Sequence, residues 1–142
     1  MGEFMTNPLI TIETIVAAPP EKAFAAYVDP AHIIHWNFAS PDWHCPAARS
    51  EQCAGGSFSF RMEAKDGSFG FDFEGEIVTF EPPRLLHYRF GDRQARVNFT
   101  PQGEGTRVNV AFEAEAENPL EMQREGWQAI LNNYKAYLEA GL

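Results

Sequence analysis

Three groups of side chains in this sequence could do chemistry. The first is aromatic: twelve Phe, four Tyr and three Trp. Trp and Tyr combine a large apolar ring with a polar handle, which suits a pocket that holds an apolar molecule by one or two oriented hydrogen bonds. Trp36, Trp43, Trp127 and Tyr134 are expected to wall such a pocket beside Phe60 and Phe71, with His35 or His44 as its polar tip. The alternative is that the Phe side chains fill the space and leave a solid core. The second group is His32, His35, His44, Cys45 and Cys53. Imidazole and thiolate bind zinc, but structural sites draw on two closely spaced pairs, and here only His44-Cys45 is paired. No metal site is expected, and the two cysteines form no disulfide framework. The third group is Arg61, Glu63, Asp72, Glu74, Arg89 and Arg96. General acid–base work needs such groups in a cleft, whereas alternation sets these opposite the Phe ladder, where cross-strand charge pairs face solvent. No Ser-His-Asp order, nucleophile elbow or phosphate-cradling loop occurs. No catalytic residue and no cofactor is assigned.

These side chains must be positioned by a sheet and one long helix. Leu9 to Val16 alternates and reads as a first strand. Pro19-Pro20 ends it, and Glu21 to Val28 follows as a helix with Ala23, Phe24, Tyr27 and Val28 on one face. Asp29-Pro30 opens a second short helix reaching Trp36. Asn37 to Ala48 has two prolines and no periodicity, and reads as a loop. From Ser50 the alternation is nearly unbroken: Phe58, Phe60 and Met62; a hairpin at Asp66-Gly67; Phe69, Phe71 and Phe73; then strands at Leu85 to Phe90, Ala95 to Thr100 and Thr106 to Ala114. The inward set is Phe58, Phe60, Phe71, Phe73, Leu86, Tyr88, Phe90, Val97, Phe99, Val108, Val110 and Phe112 from the strands, with Trp127, Ile130, Leu131 and Tyr134 from the last helix. That helix is expected over 119–140, capped by Asn118, with Leu120, Trp127, Ile130, Leu131, Tyr134 and Leu138 as its apolar stripe and Gly141 as its stop. It would span roughly 33 Å at ~1.5 Å per residue. Gly126 within it predicts a close approach to the sheet or the first helix, because Gly costs ~1 kcal/mol against Ala there.

The chain of 142 residues fits one domain. Met1 to Phe4 precedes a second Met and reads as a cloning remnant, leaving one domain over 5–142. The full chain's 20 acidic and 11 basic residues give a net charge of −9. That balance argues against nucleic acid and anionic membrane, which both need a basic footprint. There is neither an 18-residue apolar run nor a secretory signal pattern, so a cytoplasmic protein, monomer or homodimer, is expected.

Seven short motifs run in order over about 110 residues: Ala18-Pro19-Pro20-Glu21-Lys22, Asp29-Pro30, Trp36, Gly55-Gly56 with Phe58, Gly75-Glu76-Ile77 with Pro82 and Leu85, Gly105-Thr106-Arg107-Val108, and Gly126-Trp127. Together they resemble the START-like, helix-grip superfamily (SRPBCC), and within it the group named for homology to the activator of the heat-shock protein 90 ATPase. The resemblance implies an α+β fold: a curved antiparallel sheet of six or seven strands around a long C-terminal helix, with two short helices after the first strand. One departure is that the family's Asp-x-Arg before the double glycine is replaced by Glu51-Gln52-Cys53-Ala54. Superfamily members include ligand carriers and cyclases. The expected function is therefore binding of an apolar or aromatic small molecule under the last helix, in a cavity of roughly 300–1,000 Å³ opening near 37–48. The alternatives are a cyclase- or hydrolase-type enzyme on the same cavity, or a co-chaperone or other interaction module. Fold resemblance by itself does not choose among them.

Overall fold

Alternation makes the strands, and short turn signals join them into a single meander. The computed structural model describes residues 7–141, so the remnant read at Met1 to Phe4 lies outside it. The elements are β1 (Leu9–Val16), α1 (Pro20–Val28), α2 (Pro30–Ile33), β2 (Trp43–Ser50), β3 (Ser57–Ala64), β4 (Gly70–Glu81), β5 (Leu85–Phe90), β6 (Arg93–Gln102), β7 (Gly105–Glu113) and α3 (Leu120–Glu139). All seven strands form one curved antiparallel sheet in the order β1-β7-β6-β5-β4-β3-β2. Registers such as Phe112 opposite Ala95, Ala95 opposite Tyr88 and Tyr88 opposite Ile77 put the expected inward residues on one face. The opposite face carries the charge pairs, with Arg61 bonded to Glu63 and Arg89 to Glu76.

α3 lies along the free edge of β1, and its side chains occupy that edge's carbonyls. Arg124 donates to the Thr11 carbonyl at 2.9 Å, Gln128 to Glu13 at 3.4 Å and Lys135 to Ile15 at 2.6 Å. An edge that would otherwise recruit another strand is thereby covered. The α3 carboxylate of Glu139 in turn accepts the Ala17 N–H at 2.8 Å. At the start of β7, the buried Thr106 hydroxyl donates to the Ala18 carbonyl at 2.7 Å and fixes the turn into α1. Asp29 caps α2 by accepting from the Ala31 N–H at 2.9 Å.

Four local expectations are corrected. Trp43 to Ala48 is not loop but the start of edge strand β2; the register shifts between His44 and Ala47, and that irregularity absorbs Pro46. Asn118 is not the cap of α3: Pro119 takes that position without a side-chain bond. Asn118 instead donates its amide to Glu115 at 2.6 Å, and the buried Gln123 amide ties the Glu115 and Asn118 carbonyls to the helix. Leu120 is off the buried stripe at 49% exposure, because the helix meets the core only from Gln123 onward.

The fourth correction is Gly126. A Cβ built there meets nothing within 4 Å, so no close approach explains the residue. Gly126→Ala is therefore expected to raise stability by ~1 kcal/mol through helix propensity alone, read as a shift of the urea midpoint at unchanged m-value. A loss of stability would show that the backbone at this point needs glycine.

Candidate functional site

Helices α1, α2 and α3 and the concave sheet face do not close completely on one another. Between them lies a cavity of about 300 Å³. Tyr27, Val28, Ile33 and Trp36 line it from the short helices, Trp127, Ile130 and Leu131 from α3, and Phe58, Phe60, Met62, Phe73, Ile77, Leu86 and Tyr88 from the sheet. Phe71 stands at its outer end, with Asn37, Ser50 and Arg93 as further polar neighbours.

Aromatic packing sets these walls. Trp127 lies flat on Phe112, with centroids 3.8 Å apart and planes 7° from parallel. Trp36 is held from behind by its indole N–H, which donates to the Ala26 carbonyl at 3.0 Å. Phe58 and Phe60 lie side by side at 5.1 Å with planes tilted by 32°, and Phe58 meets Tyr88 edge-on at 5.4 Å. Tyr27 meets Trp36 at 5.1 Å and Phe99 at 5.7 Å. Such offset and edge-on contacts fix ring orientations.

The eight residues singled out in the sequence divide evenly. Trp36, Trp127, Phe60 and Phe71 border the cavity. Tyr134 does not: it is fully buried behind Tyr27 and Trp36, and its hydroxyl donates to the Ala23 carbonyl at 2.5 Å. Trp43 stands outside, edge-on to Phe69 at 6.0 Å, since its strand runs along the sheet's edge. His35 stacks on Tyr137 at 5.3 Å on the outer side of α2, and His44 sits half-exposed 3.7 Å from Glu63. Neither imidazole reaches the cavity.

Phe71 belongs to the inward set yet is 42% exposed, because the sheet there extends past the cover of α3. With Phe69 and Trp43 it forms a cluster of aromatic rings. The polar residues missed in the sequence are Tyr27, Tyr88, Arg93, Asn37 and Ser50. Tyr27 and Tyr88 occupy inward positions of their elements, and a hydroxyl on an otherwise apolar face was the available signal. Burial raises both phenols well above the ordinary range, and nearby Tyr27 adds to the rise at Tyr88. Arg93 donates to the Glu113 carbonyl at 3.1 Å and lies 4.6 Å over the Phe90 ring.

Among the described residues no cluster of three His, Cys, Asp or Glu side chains could hold a metal ion. Cys45 is a buried free thiol and Cys53 an exposed one. The Glu51-Gln52-Cys53-Ala54 stretch lies in the β2–β3 connection, where the Glu51 carboxylate accepts the Ser57 N–H at 2.7 Å. It does not line the cavity. No helix among the described residues is long and apolar enough to cross a membrane.

A curved antiparallel sheet closed by a C-terminal helix over an aromatic cavity defines a helix-grip protein. The family model described as activator of Hsp90 ATPase homolog 1-like protein matches residues 17–139, and the chain belongs to that family. It is similar to an AHSA1-like protein from Aeromonas hydrophila, with 40% identity, TM-score 0.88 and coverage of 94% of this chain and 93% of that one. It is also similar to Chr148 from Cytophaga hutchinsonii, at 45% identity, TM-score 0.80 and 92% of each chain. Protein CV1439 from Chromobacterium violaceum shares the fold at 22% identity and TM-score 0.81, over 93% of this chain and 98% of that one. No match is found among curated proteins.

Proposed function

We propose that this protein binds an apolar or aromatic small molecule in the cavity under α3. The observation that carries the reading is the composition of the walls. They are aromatic and aliphatic almost throughout, with a few polar groups from Tyr27, Tyr88, Asn37, Ser50 and Arg93. That is the make-up of small-molecule sites, and about 300 Å³ falls at the low end of their range. Neither histidine nor carboxylate is among the lining residues described. This favours a binder over an enzyme working by general acid–base catalysis, which needs such a group within reach of its substrate. The free thiols of Cys45 and Cys53 suit a reducing, cytoplasmic setting.

Trp127 forms one wall, so its fluorescence reports on occupancy. Titration with a panel of flat aromatic and fatty compounds is expected to give a saturable change for at least one aromatic member. Trp127→Ala is expected to abolish that change. A panel without any response, by fluorescence and by calorimetry, would refute the binding function.

A further inference from the structure

Tyr27 and Tyr88 approach the cavity from opposite walls, one on α1 and the other on β5. Neither hydroxyl has a hydrogen-bond partner in the protein among the described residues, whereas the Tyr134 hydroxyl has one. No enclosed side-chain oxygen or nitrogen is left unpartnered among those residues, so the two free hydroxyls must face accessible space. The space they border is the cavity. Tyr88 is only 7% exposed and is among the residues that line that void. The other polar lining groups have uses already: Ser50 accepts from the Gln52 N–H, Asn37 bonds the Cys45 thiol, and Arg93 donates to the Glu113 carbonyl.

We propose that Tyr27 and Tyr88 select the ligand by gripping one neutral oxygen on an otherwise apolar, two-ring body. The proposal rests on the cavity being a binding site. An O–H that faces an apolar void finds no acceptor in the walls around it, and an acceptor oxygen on a ligand supplies one. A carbonyl oxygen has two lone pairs and so takes one donor from each wall. The size of the body follows from the void of about 300 Å³, roughly twice the ~150 Å³ that holds one benzene ring. Because burial keeps both phenols protonated well past neutral pH, both remain donors under ordinary conditions. An anionic head is disfavoured. Its charge would enter an apolar void whose one cation, Arg93 among the described lining residues, already serves Glu113 and lies within the field of Glu115.

Three probes of one shape test this by calorimetry on the full chain: 2-ethylnaphthalene, 2-acetylnaphthalene and 2-naphthoate. The ketone is expected to bind about tenfold tighter than the hydrocarbon and also tighter than the anion. In Tyr27→Phe and Tyr88→Phe, which keep the rings, the ketone-to-hydrocarbon affinity ratio should fall, and in the double variant reach about one. Equal affinities for ketone and hydrocarbon in the unmodified protein would overturn the tyrosine grip and leave the cavity reading standing. So would a ratio that stays unchanged in both single variants. Tightest binding of naphthoate would overturn it in favour of Arg93 as the anchor. If none of the three binds, the grip falls together with the binding function of the cavity.

Discussion

Raising the pH from 10 to 11 should lower the unfolding free energy by about 3 kcal/mol, a large fraction of the stability of a domain of this size. Three phenols cause the fall. Burial holds Tyr27, Tyr88 and Tyr134 above the ordinary value of 10.0, and Arg93 only partly opposes this at Tyr88. From pH 10 upward the unfolded chain gives up these three protons while the native state keeps them. The unfolded state therefore binds fewer protons, and the cost of each phenol to the fold climbs from about 0.7 kcal/mol per pH unit at pH 10 toward about 1.4 above it. Below pH 10 this contribution is fully present, and it disappears as pH climbs toward the raised values. Urea titrations at half-unit steps from pH 9 to 11.5 would measure the slope. Tyr88→Phe, which removes one titrating group without removing a hydrogen bond, should reduce it by about a third. A profile flat across this range would mean that the phenols ionise in place and that solvent reaches them freely.

Gly75→Ala should destabilise the protein by at least about 3 kcal/mol, enough to threaten folding altogether. A Cβ at this position would lie 1.9 Å from the Arg89 carbonyl oxygen and 3.0 Å from Phe58 Cζ. The oxygen is backbone in the neighbouring strand, where Glu76 opposite Arg89 holds the ladder, so it can withdraw only by breaking sheet pairing. Phe58 lies across the glycine as part of the cavity wall, and displacing it would disturb Phe60, Phe73 and Tyr88 as well. The urea midpoint gives the stability, and near-ultraviolet circular dichroism reports the aromatic packing. A loss below about 1 kcal/mol would show that the sheet relaxes at this point more easily than its geometry indicates. The opposite sign expected at Gly126, where the added methyl meets open space, makes the two glycines a matched pair.

Periodicity and turn chemistry determined much of this protein without reference to its tertiary structure. Alternation from Phe58 to Phe112 assigned the inward face of β3 to β7, because a strand's side chains switch sides at every residue whatever lies beyond them. The spacing of Trp127, Leu131, Tyr134 and Leu138 assigned the face of α3 on the same ground. The short motifs, from Ala18-Pro19-Pro20 to Gly126-Trp127, carried the family through their order along the chain, most of them marking a turn or a helix start of this fold.

The cap at Pro119 and strand β2 were not legible in this way. The capping preference of Asn118 is outweighed by its bond to Glu115, and Pro46 is tolerated because β2 is an edge strand with an irregularity to hold it. The sequence pointed to aromatic walls but could not say which aromatics would face the void. Trp36 and Tyr134 sit on comparable apolar faces; one borders the cavity and the other is sealed behind it, donating to Ala23. The grouping of Tyr27 with Tyr88 joins α1 to β5 across 61 residues of chain. Local pattern tells a side chain which way to point, but a cavity is the space left between elements distant in sequence. Its size and its polar groups are therefore set only when the sheet curves and the helices come to rest on it.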